Sequence, residues 1–350
     1  MKKYILRLFG IIAIGSSAWA TNFQINSLDR SGKIIFTEPT NAGSYYVEWA
    51  PTPNGPWTNS WDQLKYIPSK GSGKIITNSI PMFFRVVAIE KANMVLIPAG
   101  TNSGTNPMAN GESAKSYYPA TYSLTVTNFY MDATAVTKAM WDNVYQWGIA
   151  HGYSFGNPGL GVAANHPVHS INWYDAVKWC NARSEREGLE PCYTVSNQVY
   201  KAGEFSPDVD TSKTGYRLAT IVEWEYAARG GLVNMRFPNG NTISHTTANY
   251  KSDSTTYSYD LGPESGYHPA YTVFPYTSPV RSFPPNGYGL YDMNGNMRTW
   301  CWDPKYTNAR KVRGGVSFHD VDIARCGRDG HDSSTVVRYT IGIRCVRRAP

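Results

Sequence analysis

None of the five cysteines, at positions 180, 192, 301, 326 and 345, forms a CxxC pair or a zinc-finger spacing. That absence removes the common thiolate metal sites and the thioredoxin-type redox motif. There is also no run of lysine and arginine of the kind that tracks phosphates, so nucleic acid is not an expected partner. Charged residues are sparse, at 17% of 350. After residue 20 no apolar stretch approaches the roughly 20 residues that cross a bilayer. The one EF-hand lookalike, DMNGNM, has its glycine (Gly295) in the fourth position where that calcium loop needs it in the sixth. His166, His169 and His319 have no serine or cysteine nucleophile at a defined spacing, so no acyl-transfer triad is legible.

The first twenty residues, MKKYILRLFGIIAIGSSAWA, combine two lysines, a short apolar run and a small-residue end. They are expected to be a cleaved secretory signal rather than a membrane anchor. Its removal takes away Lys2, Lys3 and Arg7 and no acid, so the formal charge falls from +7 to +4. The mature chain is therefore expected to be secreted, periplasmic or on the cell surface, with no membrane span. All five cysteines lie in the exported part, where thiols tend to oxidise, and the odd count leaves at least one outside any intramolecular pair. Twenty-five tyrosines and eleven tryptophans against so few charges suggest an aromatic-lined binding surface.

Two domains are expected in the mature chain. From 21 to 92, SGKIIFTE, GSYYVEWAP and PMFFRVVAI are β-branched, aromatic and partly alternating, which predicts a small antiparallel β domain. From 93 to 348 the pattern predicts an α+β domain with three helices among long glycine-, proline- and asparagine-rich loops. Val136, Met140, Val144 and Trp147 share one helical face behind Thr134. Asn172 with Asp175 opens WYDAVKWCNARSEREG, which Gly188 ends, and Thr220 with Glu223 forms a capping box for IVEWEYAARGG. Arg217, Glu223 and Glu225 are expected to pair inside the fold. More than 80 residues beyond Gly231 show weak periodicity, and so much loop must be held by aromatic packing, disulfides or bound cations.

One stretch, RGGVSFHDVDIARCGRD (313 to 329), gathers a histidine, three aspartates and a cysteine behind a double glycine. Along an extended segment side chains alternate, so His319 would point away from Asp320 and Asp322. A run of adjacent residues does not make a metal site, and a polar, solvent-facing loop is the plainer reading.

MVLIPAG, PVHSINWYDAVKWCNARSEREGLEPCYTV, GYRLATIVEWEYAARGG, FPPNGYGLYDMNGNM, WCWD, KVRGG and IGIRCV occur in that order. Together they resemble the formylglycine-generating enzyme family, or sulfatase-modifying factors, over about residues 93 to 348. The resemblance implies a loop-rich, C-type-lectin-like α+β fold. It also implies an oxidase that converts a sulfatase cysteine to formylglycine with oxygen and copper.

Cu(I) is soft and needs thiolates, and the family supplies two cysteines just after RGGS and an aromatic residue. In one register those positions are His319 and Ala324 here; in the other they are Asp320 and Arg325. Neither contains cysteine, so copper is not expected. The family's calcium sites would fall at Asn249 and Tyr250, with Ser265 to Tyr267 nearby, and at Asn294 and Asn296. Calcium is the one cofactor the resemblance leaves open, and Thr299 in GNMRTW stands where the family has a carboxylate. Cys180 and Cys345 match a pair that the family bridges. Cys326 matches a cysteine whose family partner is Ala228 here, leaving it free or paired with Cys301 or Cys192.

Two functions are therefore weighed. One is the family's oxidation. The other is an exported lectin-like module binding a carbohydrate or a protein or peptide ligand, in a groove lined by Ser317, Phe318, His319, Asp320, Asp322, Arg325, Trp300, Trp302 and Tyr288. A special form of the second resembles the variable proteins of diversity-generating retroelements, with variation between Val316 and Thr340.

Overall fold

Three short polar side chains start the three α-helices among the described residues. The computed structural model describes residues 24–28, 34–37, 42–50, 83–90, 94–108 and 113–349. The expected signal segment lies outside them. Asn172 accepts the N–H of Asp175 at 2.8 Å and opens helix α2, Trp173–Arg186. Thr220 and Glu223 make the reciprocal capping box of helix α3, Ile221–Arg229, with Gly230 left-handed at its end. Helix α1, Lys138–Ala150, is capped by Thr137 and not by Thr134. The expected start came too early because Val136 is tied by its backbone to Ile343 and Val168, which keeps the segment before Thr137 out of the helix.

The chain divides into two compact units, Met1–Ala92 and Asn93–Pro350. In the first, Gln24–Leu28 pairs antiparallel with Ile34–Thr37, and Ala42–Ala50 with Phe83–Glu90. In the second, one four-stranded antiparallel sheet runs Tyr216–Leu218, Cys345–Arg348, Phe129–Asp132, Met94–Ile97. A second sheet runs Gly330–Ser333, Ala309–Arg313, Arg298–Tyr306, Ile341–Gly342, the last pair parallel. This second sheet carries the double glycine on one strand end and Arg298 on the neighbouring strand.

Burial explains the aromatic composition. Trp141, Trp173, Trp179 and Trp300 are fully buried, and each indole N–H finds a carbonyl: Pro158, Cys301, Trp141 and Ile171 respectively. Trp141 and Trp179 stack at 5.4 Å and join α1 to α2. Several of the charges inside are paired: Arg183 grips Asp132, Arg217 grips Glu223, and Glu225 is shared by Arg229 and Arg313. A buried ion must keep such a partner, because its desolvation is otherwise uncompensated.

The long loop from Leu232 to Met297 contains no helix or ladder strand and is held by side chains. Asp260 is its centre. It accepts from the Tyr250 hydroxyl, the Ser252 hydroxyl at 3.0 Å, and the N–H groups of Asp253 and Gly262 at 2.7 and 2.9 Å. Phe237, Ile243, Ala248, Tyr250 and Tyr259 pack here against Val321 and Ala324, so the loop closes over the stretch that follows the double glycine.

Candidate functional site

The site is built on backbone conformations that only glycine tolerates well. Gly314 has φ 109° and Gly315 has φ 70°. A Cβ on Gly315 would lie 2.9 Å from the Cα of Ala324, so the chain can fold back there only because that atom is missing. Val321–Ala324 forms a 3-10 turn, not the extended segment expected from the sequence. The alternation argument for His319, Asp320 and Asp322 therefore does not apply. The structure disperses them for another reason, since each acid has its own cation: Asp320 pairs with Lys251 at 3.0 Å, and Asp322 with Arg325 and Arg328 at 3.1 and 3.3 Å. Among the described residues no three His, Cys, Asp or Glu side chains converge on a common point that could hold a metal.

Around Phe318 the side chains are aromatic instead. Its ring lies 6.0 Å from Phe274, 5.6 Å from Tyr339 and 5.0 Å from His319. Phe274 also meets Tyr339 at 4.8 Å and Tyr276 at 5.6 Å, and Tyr276 stacks on Tyr267 at 4.7 Å. Phe274, Tyr339 and Tyr267 remain 55%, 45% and 46% exposed, which makes the cluster a surface and not a core. Partial burial, and then the nearby Arg298 charge, push the His319 imidazole below its ordinary range, which favours its neutral form. Phe274, Tyr276 and Tyr339 were not singled out from the sequence; they lie about 40 residues before and about 20 after Phe318 and carry no motif.

Several expected groove residues are elsewhere. Ser317 is buried, with its hydroxyl donating to the Pro275 carbonyl at 2.5 Å. Arg325 is buried with Asp322 and the Tyr259 hydroxyl, and its guanidinium lies over the Tyr118 ring. Both hold the fold and neither faces a ligand. Trp300 is buried for the reason given above. Trp302 and Tyr288 are half-buried; Trp302 packs on Trp173 and Tyr193, and Tyr288 on Tyr226, so these rings partner outside the Phe318 cluster. Phe318, His319, Asp320 and Asp322 stay partly exposed.

The donor sets do not fit the two metals that the resemblance suggests. No thiol stands at either copper position. The nearest cysteine in sequence, Cys326, is buried, which pushes its thiol up to about 12, away from the thiolate that Cu(I) requires. For calcium, the Tyr250 carbonyl accepts from His245 Nε2 at 3.0 Å, and Asn296 is engaged with Ser278 at 2.9 and 3.2 Å. Asn249 donates to the Tyr276 carbonyl; its Oδ1 is buried without a partner among the described residues. Asn294 is buried. Thr299 accepts from the Trp224 indole at 3.0 Å, so the position that needs a carboxylate is spent on a tryptophan. With no carboxylate at Thr299 and the Tyr250 and Asn296 oxygens engaged in the fold, the neutral oxygens left at Asn249 and Asn294 fall short of the six to eight ligands, several of them charged, that calcium prefers.

The sulfurs of Cys180 and Cys345 approach to 3.7 Å as two buried thiols, joining α2 to the last strand. Cys192 donates to the Gly215 carbonyl. Cys326 lies in the same core cluster as Cys301 and Ala228, the residue at its expected family partner position.

The chain is 28% identical over 256 residues to the chaperone protein LppX of Paenibacillus barcinonensis, covering 67% of the chain and 85% of that protein. It is 33% identical over 141 residues to the formylglycine-generating enzyme of Mus musculus, covering 40% of the chain and 28% of the enzyme. Among solved structures, Treponema denticola variable protein 1 shares the fold with a TM-score of 0.55 and 24% identity, over 73% of this chain and 95% of that one. A family model for the sulfatase-modifying factor enzyme 1-like domain matches residues 83–349, and the chain belongs to that family.

Proposed function

We propose that this family member is an exported binding module that recognises a carbohydrate or peptide ligand on the aromatic surface around Phe318, and that it does not carry out the family's oxidation. One observation carries the reading. Where two thiolates would have to converge, the chain has His319 and Ala324, or Asp320 and Arg325, and the surface beside them is made of rings. Copper-dependent oxidation of a cysteine needs a soft donor pair to hold Cu(I). Exposed rings at fixed mutual angles need only a ligand with apolar faces to cover them, and they present large contact area with few rotatable bonds.

The charges around the cluster suit recognition. Arg338 with Asp332 and Lys251 with Asp320 are exposed or half-exposed pairs that can exchange a partner for a ligand's polar groups. Export rests on the first twenty residues. The chain spans just over a quarter of the mouse enzyme's length, so nothing of that enzyme's activity transfers to it directly.

The test is direct. Purified protein is reconstituted with Cu(I) and incubated with a cysteine-containing sulfatase peptide under oxygen. We expect no tight thiolate-type copper binding and no change in peptide mass. Conversion of the cysteine to an aldehyde would overturn the proposal. In parallel, glycan and peptide arrays should give ligands whose binding is lost in Phe274→Ala and Tyr339→Ala.

A further inference from the structure

Arg298 stands at the start of the strand Arg298–Tyr306, opposite Ile341 in the parallel pair. It occupies the fourth place in GNMRTW. Its guanidinium makes one long contact, to the Thr340 hydroxyl at 3.5 Å, and has no carboxylate within ion-pair distance among the described residues. Its Nε is buried with no partner among them. Asp332, the nearest acid to act on it, is already held by Arg338 and by the Ser333 N–H. Arg298 is half-buried, and a partly desolvated cation without an ion-pair partner is costly unless something supplies the charge.

A cavity of about 60 Å³ opens beside it, bounded by Arg298, Arg328, Asp329, Ile323 and the two glycines 314 and 315. Taking about 30 Å³ for a water, that is room for one small polar group. The glycines leave the backbone bare on one wall. Around the cavity Lys311 pairs with Asp329, Arg328 with Asp322 and Arg338 with Asp332, which leaves Arg298 as the cation with no carboxylate in ion-pair range among the described residues. Only one acid lies on the wall, Asp329. Its Oδ2 is taken by Lys311, while its Oδ1 is buried without a partner among the described residues.

We propose that this cavity takes the carboxylate of an acidic saccharide, with Arg298 as its binding residue. A planar guanidinium matches the two oxygens of that group. Asp329 Oδ1 would repel a bare anion but accepts a hydroxyl, and an acidic sugar presents hydroxyls beside its charged group where a peptide carboxylate does not. The chain links the cavity to the aromatic surface: Arg298 contacts the Thr340 hydroxyl, and Thr340 follows Tyr339, whose ring meets Phe318. On this proposal a saccharide held by its acid at Arg298 would extend toward those rings. The inference rests on the reading of that surface as the ligand face.

The experiment uses the mature full-length chain and five probes: D-glucuronate, D-glucose, an oligosaccharide containing glucuronate, its carboxyl-reduced neutral counterpart, and an acidic peptide. We expect glucuronate, and not glucose, to raise the melting temperature, and the acidic oligosaccharide to bind at least tenfold more tightly than the neutral one. Arg298→Gln should abolish both differences, with Arg328→Gln as the second variant if the first does not fold. Phe274→Ala and Tyr339→Ala should weaken both oligosaccharides and leave the glucuronate shift in place. Equal binding of acidic and neutral oligosaccharides through Tyr339 would overturn this inference while the aromatic surface stood. An Arg298-dependent preference for an acidic peptide over every saccharide would overturn the saccharide assignment. No response to glucuronate in the unmodified protein overturns the cavity's role whatever the variants do.

Discussion

Gly315 and Ala324 meet so closely that a single methyl group on the glycine would lie 2.9 Å from the alanine Cα. The contact turns the segment after the double glycine back on itself. It sets where Phe318 and His319 stand and forms one wall of the Arg298 cavity.

Gly315→Ala should therefore cost stability twice, through overpacking and through a left-handed φ of 70°. Overpacking is worth about 1–3 kcal/mol, and left-handed backbone about 1–2 kcal/mol more. Gly188→Ala, at φ 71° with nothing within 4 Å, should show only the second cost. Calorimetry on the two variants separates them; equal losses would mean that the Ala324 contact is not tight.

Arg183 and Asp132 form a bidentate pair at 2.8 and 3.1 Å inside the fold, and Asp132 also accepts the Cys345 N–H. Arg183→Met should lose about 3–5 kcal/mol because the carboxylate is left buried. Urea denaturation reads this as a lower midpoint. A change below about 1 kcal/mol, the range of exposed pairs, would show that solvent reaches Asp132.

Cys180 and Cys345 are placed to be joined. Oxidised protein should lose two hydrogens in mass, give one linked peptide on digestion, and lose that peptide in Cys180→Ser. Closing a loop of 165 residues stabilises by roughly 5 kcal/mol on the chain-entropy model. A linked Cys301 or Cys326 peptide in its place would overturn the pairing.

His169 is buried, and burial together with the nearby Lys138 charge lowers its pKa to about 4. Unfolded, the ring titrates near its ordinary value of about 6.5. Protons therefore bind preferentially to the unfolded chain between these values. The contribution is complete above pH of about 6.5 and is lost as pH falls toward about 4. His169→Gln should flatten the pH dependence of the denaturation midpoint over that window; an unchanged slope would rule the residue out.

Chelation should leave the melting temperature unchanged, because the oxygens at Tyr250, Asn296 and Thr299 already have protein partners. A rise of several degrees on adding millimolar calcium would show that those bonds open for the ion.

Much of this was legible in the chain. Asn172, Thr220 and Glu223 start helices through contacts three residues away, and Gly314 and Gly315 announce a backbone that other residues resist. Such signals are local, so sequence carries them. The lack of a thiolate pair after the double glycine was equally plain, since chemistry that needs cysteine cannot proceed from alanine or arginine. Tertiary packing decided the rest. It drew Trp300, Ser317 and Arg325 inward, and it brought Phe274 and Tyr339 to Phe318 from opposite sides in sequence. It also left Arg298 beside a cavity with no carboxylate in ion-pair range of it among the described residues. Whether a ring or a charge faces solvent depends on which distant segment covers it, and that is settled only when the whole chain has closed.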